Sequence, residues 1–189
     1  MILVVDHYDS FVYNLVQLIE SLGKKTEVVR SDAEPAEALV ARKPEAVLLS
    51  PGPGHPNDAG CFTELLQILP TETPVLGVCL GHQALGVSCG GRVDRGPEPV
   101  HGKASLVHHE GRGILNGVPS PFEAGRYHSL VVMRDELPTE LELTAWTDDN
   151  LVMGTQHRDM LRFGVQFHPE SILTPEGPKI VENFLALIG

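Results

Sequence analysis

The hydrophobic positions in the first half of the chain fall into short continuous runs separated by amphipathic segments. Residues 2–5 form an apolar run rich in β-branched side chains, which is typical of a strand buried on both faces. From Phe11 to Leu22 apolar side chains recur at helical spacing, with Asp9 or Ser10 placed to cap this helix and Gly23 to end it. The same alternation predicts strands at 26–30, 46–49 and 74–78. It also predicts a helix at 35–42 and a short helix that follows the loop at 51–60 and ends at residue 69. Strands that alternate with helices in this way predict a parallel sheet covered by helices.

After residue 91 the pattern changes to short strand-like runs separated by turns. These runs predict strands at 92–95, 103–108, 122–127, 130–133, 141–146, 152–157 and 163–167. Apolar residues at helical spacing between Pro178 and Leu187 predict a final helix. The sequence contains no evident linker or internal repeat, so we predict one domain over residues 1–189 with a β-rich second half.

The composition favours a folded protein that binds neither nucleic acid nor membranes. Hydrophobic residues make up 42% and charged residues 21% of the 189 residues, which is typical of a globular chain. The formal net charge is −11, so phosphate backbones and anionic lipid surfaces would repel the chain. No segment of the sequence approaches the roughly 20 apolar residues needed to span a bilayer.

The cysteines point to a reducing compartment. Cys61, Cys79 and Cys89 are odd in number and include no Cys-x-x-Cys pair, which argues against a disulfide framework and against a thiolate zinc site. The N-terminus lacks the basic start and the long apolar stretch of a signal peptide. We therefore expect a soluble, cytoplasmic protein.

A candidate nucleophile lies between a buried strand and a predicted helix. In Gly77-Val78-Cys79-Leu80-Gly81, glycines stand two residues before and two after the cysteine, which is the spacing of a nucleophile elbow. The sharp turn would expose the side chain, and the start of the helix would direct N–H groups toward the sulfur and favour the thiolate. A free cysteine is also commonly a small buried core residue, and the short pattern leaves both interpretations open.

A candidate base follows the last predicted strand. In Phe167-His168-Pro169-Glu170, the proline keeps His168 extended, so side chains two residues apart can point to the same side. Glu170 could then orient the imidazole, which would complete a nucleophile, base and orienting group in the order Cys, His, Glu. A solvated surface turn is the alternative interpretation. The separation between Cys79 and His168 in the sequence does not show that the two side chains meet.

A third motif, Ser50-Pro51-Gly52-Pro53-Gly54, comes directly after a buried strand. Loops at the carboxyl ends of parallel strands form the ligand crevice of such sheets, and these glycines could present backbone N–H groups there. Taken by itself, the motif is better explained as a plain Pro-Gly turn.

Together these three motifs, in this order, resemble the class I glutamine amidotransferases. The likeness is strongest to the small subunits of anthranilate synthase and of aminodeoxychorismate synthase, and it covers essentially the whole chain. The segments that carry it are Val5–Leu15, Ser50–Gly54, Gly77–Ala84, His101–Lys103, Arg126–Leu130 and Gly164–Leu173. The resemblance implies an α/β, flavodoxin-like fold with a mostly parallel central sheet flanked by helices.

The resemblance also implies a catalytic role for three residues. Cys79 would attack the side-chain amide of L-glutamine, and His168 would take the thiol proton and deliver it to the departing ammonia. Glu170 would hold His168 in the useful tautomer. No metal or cofactor is implied for this chain.

Further residues would bind the substrate if the resemblance holds. The backbone N–H of Leu80 is one natural oxyanion donor. Within the Gly52-Pro53-Gly54 loop, Pro53 has no N–H, so the second donor should be Gly52 or, as a weaker alternative, Gly54. By family likeness, the amino acid end of glutamine would be held by Gln83 and by the backbone of Ser129 and Leu130.

Three functions compete at this stage. The leading one is a glutaminase subunit that supplies ammonia to a larger, separate chorismate-binding synthase subunit, with anthranilate synthase favoured over aminodeoxychorismate synthase. The sequence barely separates these two pathways, tryptophan and folate biosynthesis. A free-standing cysteine hydrolase acting on γ-glutamyl or peptide bonds is the second function, and an inactive interaction subunit, which the intact residues disfavour, is the third.

Two further features qualify the resemblance. His7 and Val12 stand where the family usually has asparagine and threonine, so we expect hydroxyl or amide contacts to be lost there and the partner surface to be affected more than the chemistry. His101, His108 and His109 could suggest a metal site. No carboxylate or thiol accompanies them at a recognised spacing, so we expect a solvated strand face.

Overall fold

Nine strands form one sheet in the computed structural model, which describes residues 1–188. The strands are β1 (Ile2–Asp6), β2 (Thr26–Arg30), β3 (Ala46–Leu49), β4 (Val75–Val78), β5 (Val93–His109), β6 (Phe122–Val132), β7 (Leu141–Thr147), β8 (Val152–His157) and β9 (Arg162–Val165). The α-helices are α1 (Val12–Ser21), α2 (Ala36–Ala41), α3 (Phe62–Ile68), α4 (Leu80–Ser88) and α5 (Gly177–Leu185). Short 3₁₀ turns cover residues 56–58, 113–115 and 134–136.

The sheet has a parallel part and an antiparallel part, in the order β2-β1-β3-β4-β9-β8-β7-β5-β6. Strands from β2 to β9 in this order pair in parallel, and those from β9 to β6 pair antiparallel. This arrangement confirms the predicted α/β fold with a mostly parallel half followed by a β-rich half. β9 belongs to both parts, because it pairs parallel with β4 and antiparallel with β8.

The helices cover both faces of the sheet and bury two separate core clusters. In β1 the side chains alternate between them: Ile2 and Val4 join one cluster, and Leu3 and Val5 join the other. Helices α1 and α5 pack into the first cluster, and α2, α3 and α4 pack into the second. The continuous apolar run of β1 is thus explained, because a strand buried on both faces needs hydrophobic side chains at odd and even positions alike.

The structure joins predicted strands that the sequence separates. The predicted strands 92–95 and 103–108 form the single strand β5, and those at 122–127 and 130–133 form β6. The glycine and prolines within 96–99 do not end β5 but fall where its pairing with β6 shifts register. Bulges tolerate such residues inside a strand, so turn-forming residues were misleading here.

The predicted cap of α1 is wrong. The residue before the helix is Phe11, and no side chain of the described residues caps the first turn. The backbone N–H of Asp9 donates a hydrogen bond to the Asp6 carboxylate at 3.0 Å. No helix within residues 1–188 is long and apolar enough to cross a membrane.

Two glycines allow the tight connection from β4 to α4. A side chain at Gly77 would overlap the backbone of Gly81, and a Cβ at Gly81 would lie 2.5 Å from the carbonyl oxygen of Leu49 on β3. Real Cβ atoms do not approach backbone this closely, so each position requires glycine. The first turn of α4 can therefore lie directly against the sheet.

We predict that Gly81→Ala destabilises the protein by about 1 to 3 kcal/mol, because the methyl group must displace the backbone of β3. Better helix propensity of alanine recovers at most about 1 kcal/mol. Urea denaturation monitored by circular dichroism measures the change. The control is Gly96→Ala, whose methyl group would meet Val131 at an ordinary 3.5 Å. Equal unfolding midpoints for the two variants would contradict this account.

Candidate active site

The pairing of β4 with β9 brings the candidate nucleophile and base together. The two strands are parallel neighbours with Val78 opposite Val165, so their carboxyl ends lie at the same edge of the sheet. Cys79 follows β4 directly, and His168 follows three residues after β9 ends. Two residues far apart in the sequence thus line one cavity.

Cys79 occupies a strained turn between β4 and α4. Its φ is 52° and its ψ is −97°, a conformation that non-glycine residues rarely adopt. Such backbone strain typically costs about 1 to 3 kcal/mol and persists where surrounding contacts enforce it. Here its N–H donates to the Val165 carbonyl at 2.8 Å and its carbonyl accepts from the N–H of Gln83. The turn matches the predicted nucleophile elbow, but the expected exposure of the side chain is wrong, because Cys79 is only 6% exposed.

His168 and Glu170 form a buried pair. The imidazole Nδ1 donates to Glu170 Oε1 at 2.6 Å, and both side chains are more than nine-tenths buried. The backbone of His168 is fixed as well, because its N–H donates to Gly125 and its carbonyl accepts from the Thr174 hydroxyl at 2.7 Å. Its Nε2 is buried and has no hydrogen-bond partner among the described residues. This nitrogen is the atom left to exchange a proton with Cys79.

The surroundings favour a protonated His168. Burial acts most strongly and lowers its pKa, but the combined influence of the neighbouring Cys79 and Glu170 outweighs burial and raises the pKa to about 10. Among the described residues, no hydrogen bond joins the sulfur and the ring, although both residues line the same cavity. The arrangement favours an imidazolium beside the Cys79 sulfur before any substrate is attacked.

A cavity of about 600 Å³ opens above these residues. It is lined by Tyr8, Asp9, Ser10, Phe11, Asn14, Pro51, Gly52, Pro53, Cys79, His101, Tyr127, His168, Glu170, Ser171 and Ile172. Of the predicted oxyanion loop, Gly52 and Pro53 reach this cavity, whereas Gly54 is exposed and lies outside its lining. Gly52 packs against the backbone of His7 and the side chain of Leu80. The loop and the start of α4 are therefore in contact beside the sulfur.

The residues predicted to bind the amino acid end of glutamine, Gln83, Ser129 and Leu130, lie outside the lining of this cavity. Gln83 Nε2 donates to the Leu130 carbonyl at 2.9 Å and to Gln166 Oε1 at 3.1 Å. Ser129 is exposed, and neither it nor Leu130 and Gln83 belongs to the lining. Both amide hydrogens of Gln83 are used inside the protein, which leaves its carbonyl oxygen as the group available to a ligand.

Sequence reasoning missed three residues close to the nucleophile. Gln166 donates to the Cys79 sulfur at 3.5 Å, and the Tyr127 ring packs edge-on against His168 with centroids 5.0 Å apart. Asp9, interpreted from the sequence as a helix cap, lines the cavity instead. Gln166 stands two residues before His168, and this alternation was the one signal that could have indicated a shared direction.

The two departures from the family pattern have different structural outcomes. Val12 is buried in the core, so a hydroxyl contact is absent there. His7 keeps polar contacts: its Nδ1 is hydrogen-bonded to Ser31 Oγ at 2.8 Å, and its N–H donates to Ser50 Oγ at 2.9 Å. The imidazole thus supplies a contact that we expected to be lost.

The three histidines considered for a metal site have separate partners. His101 is exposed and packs against Tyr127, and His108 bonds to Asp148 at 2.6 Å. His109 is buried against the Pro119 carbonyl, so the expectation of a solvated face is wrong for this residue. Within residues 1–188 no group of three or more metal-binding side chains occurs.

Comparisons with known proteins agree with the fold and the family. The model of the family "Glutamine amidotransferase class-I" matches residues 3–188. Anthranilate synthase component 2 of Azospirillum brasilense is 50% identical over 186 residues, which cover 98% of this chain and 95% of that protein. Anthranilate synthase component 2 of Mycobacterium tuberculosis is 51% identical over 191 residues, which cover 100% of this chain and 82% of that protein.

A solved structure supports the fold alone. A protein of Thermoplasma acidophilum described as a GMP synthase subunit superposes with a TM-score of 0.88 at 24% identity, over 99% of this chain and 92% of that one. With the family match, the chain belongs to the class I glutamine amidotransferases and is an enzyme. Over its full length it is similar to component 2 of anthranilate synthase.

We predict that Glu170→Gln lowers the pKa of His168, because the variant removes the negative charge that stabilises the imidazolium. The pKa of His168 should fall by about 1 to 3 pH units, as expected for the loss of one adjacent opposite charge. NMR titration of the His168 ring measures it.

The rate of enzymatic turnover should reflect the same roles, with His168 as base and Glu170 as the group that orients it. His168→Ala should lose several orders of magnitude and Glu170→Gln rather less, since orienting groups contribute less than the base itself. The opposite ranking in folded variants would show that the two roles are misassigned.

Proposed function

We propose that this chain hydrolyses L-glutamine through Cys79, His168 and Glu170 and supplies the ammonia to a chorismate-using synthase. The observation that carries the proposal is the strained Cys79 turn beside the buried His168–Glu170 pair, at one cavity. The synthase is most consistent with anthranilate synthase, which serves tryptophan biosynthesis, because the similar proteins described above are component 2 of that enzyme.

The proposed reaction has two stages. The Cys79 thiolate attacks the side-chain amide carbon of glutamine, and the proton on His168 passes from Nε2 to the amide nitrogen, which leaves as ammonia. A water molecule, deprotonated by His168, then hydrolyses the thioester and returns the free thiolate and glutamate. These steps use only protein groups and water, so we propose no cofactor and no metal in this chain.

Backbone N–H groups would stabilise the oxyanion of both stages. Leu80 is the first residue of α4, so its N–H is not used within the helix and lies next to the nucleophile. Gly52 is the better second donor, because it reaches the cavity and packs against Leu80, whereas Gly54 is exposed. Loss of one such donor typically costs about 3 to 4 kcal/mol of barrier.

The amino acid end of glutamine would bind beside Gln83. The free carbonyl oxygen of Gln83 could accept from the α-ammonium group, and the backbone of Ser129 and Leu130 could contact the carboxylate. The hydrogen bond from Gln83 to the Leu130 carbonyl holds these elements together before substrate binds. Preorganisation of this kind lowers the entropy cost of binding.

An exposed apolar rim supports a partner at the mouth of the cavity. Tyr8, Phe11 and Ile172 line the cavity, yet they are 53%, 59% and 94% exposed. Large apolar side chains grouped at one opening commonly mark a protein interface. We propose that the larger, chorismate-binding synthase subunit covers this rim, so that ammonia passes to it directly.

Two other functions are alternatives that experiments can distinguish from this proposal. Aminodeoxychorismate synthase, of folate biosynthesis, would use the same glutaminase chemistry with a different partner reaction. A free-standing γ-glutamyl hydrolase would need no partner, which leaves the exposed rim unexplained. We also propose a reducing, cytoplasmic setting, since a thiolate nucleophile is easily oxidised.

We predict that Cys79→Ala abolishes glutamine hydrolysis, because no other group can form the thioester. Cys61→Ala and Cys89→Ala are the matched controls and should retain activity, since burial raises the pKa of both thiols and keeps them unreactive. Release of glutamate measures turnover, and a glutamine-like electrophile should label Cys79. Labelling of Cys61 with activity intact would contradict the assignment.

We predict that the isolated chain is a slow glutaminase and that its synthase with chorismate activates it. A coupling of about 1 to 3 kcal/mol corresponds to roughly 5- to 150-fold faster turnover. The Cys79→Ala complex should still form product from added ammonium salts, because the synthase site is untouched. Full activity alone, unchanged by either chorismate-using synthase, would favour the free-standing hydrolase.

The rim offers a control for this activation. Ile172→Glu places a charge where the partner should bury an apolar side chain, and should weaken binding of the synthase by tenfold or more. Leu106→Glu changes another exposed apolar residue, on β5 and outside the cavity lining, and should bind normally. Isothermal titration calorimetry compares the two variants. Equal affinities would move the interface away from the rim.

A further inference from the structure

Gln166 is a buried side chain in direct contact with the candidate nucleophile. It follows β9 and is 0% exposed, and its Nε2 lies 3.5 Å from the Cys79 sulfur. The Tyr127 carbonyl oxygen also lies near the sulfur, at 4.0 Å. A carbonyl oxygen can accept from a thiol but cannot donate to a thiolate. Within residues 1–188, Gln166 therefore contributes the one side-chain amide donor at the sulfur.

A chain of hydrogen bonds determines which end of the Gln166 amide faces the sulfur. The Leu130 carbonyl can only accept, so the atom of Gln83 beside it must be the amide nitrogen. The same nitrogen contacts Gln166, which must present its oxygen there. Nε2 of Gln166 is then directed at Cys79. The orientation follows from a backbone carbonyl, which cannot be reversed as a side-chain amide can.

We propose that Gln166 is a further catalytic residue, which donates its amide N–H to the Cys79 sulfur and stabilises the thiolate. The inference rests on the proposed role of Cys79 as nucleophile. The hydrogen bond from Gln166 to the sulfur strengthens as negative charge develops on the sulfur, since hydrogen bonds to charged groups are stronger than those to neutral groups. When the thiol is restored, its proton can turn to the Tyr127 carbonyl instead. The two contacts thus serve the two protonation states.

The chain of hydrogen bonds from Gln83 through Gln166 to Cys79 also connects substrate binding to the nucleophile. An ammonium group bound at the Gln83 carbonyl oxygen would polarise the Gln83 amide and, through it, the Gln166 amide. Chains of hydrogen bonds strengthen one another in this way. Glutamine would then favour the thiolate that attacks it.

A role in packing alone is the competing explanation. Burial of an amide is costly unless its polar atoms are paired, and an apolar side chain of the same length would fill the site at lower cost. Gln166→Met makes this substitution, with similar size and no N–H. It separates the two explanations, because packing is kept and only the donor is lost.

The test is the pH profile of Cys79 alkylation by iodoacetamide, followed at the Cys79 peptide by mass spectrometry between pH 5 and 9. Gln166→Met should move the midpoint up by about one pH unit and slow alkylation near neutral pH about tenfold, the effect of losing one hydrogen bond to a charged group. Gln166→Glu, of the same shape, should move it further in the same direction, because an ionised carboxylate repels the thiolate.

Other titrating groups near the sulfur are the same in every variant. The titratable side chains that line the cavity are those of His168, Glu170, Asp9, His101, Tyr8 and Tyr127. His82 and His128 lie on the packed elements α4 and β6, and burial lowers their pKa values to about 3 and about 4, so neither titrates in this range. Differences between profiles therefore report the substitution itself.

Gln156→Met is the matched control. It makes the same chemical change on β8, where the amide donates to Glu142 instead of to the sulfur, and should leave the profile unchanged. Alkylation does not require glutamine hydrolysis, so the result stands apart from the proposed function. Unaltered profiles in both Gln166 variants, with circular dichroism spectra of the folded protein, would overturn the proposal. If Gln166→Met fails to fold, Gln166→Glu decides by the same criterion.

Discussion

The parallel pairing of β4 with β9 is the interaction on which the site depends. It places the residues after each strand at one edge of the sheet, and Cys79, Gln166 and His168 all lie within that short span. The β-rich segment between the two strands runs through the antiparallel part of the sheet and returns as β9. Errors in the register of this one pair would separate Cys79 from His168, because a shift by one residue reverses the direction of every side chain.

A buried carboxylate governs the electrostatics of the site. Glu170 lies in a protein of net charge −11, and still its side chain is almost wholly withdrawn from water. Burial of an ion is tolerated when it is paired, and the imidazole of His168 provides that pairing. The pair then keeps a proton available inside the protein. In the proposed reaction, Glu170 would thereby act through His168.

The sequence predicted local features well and pairing poorly. Strands of the parallel half were predicted nearly to the residue, because burial on both faces leaves an unmistakable apolar run, as in β1. The sequence prediction divided the long strand β5 in two, because its glycine and prolines are typical of turns. In the structure these residues lie at a register shift within one continuous strand. Cys79, His168 and Glu170 were named from local spacing and family likeness, but their approach depends on a non-local strand pair. Gln166 was missed for the same reason, and the single-domain prediction over 1–189 stays a prediction.

The positive φ of Cys79 has a consequence for the evolution of this protein. Strain of about 1 to 3 kcal/mol at one residue is a sizeable part of the roughly 5 to 15 kcal/mol by which small proteins are stable. Glycine would relieve that strain at once, since it adopts such angles freely. Selection for stability alone would therefore favour loss of the cysteine, and only selection for activity can retain it. The turn is a point where stability and activity are in direct conflict.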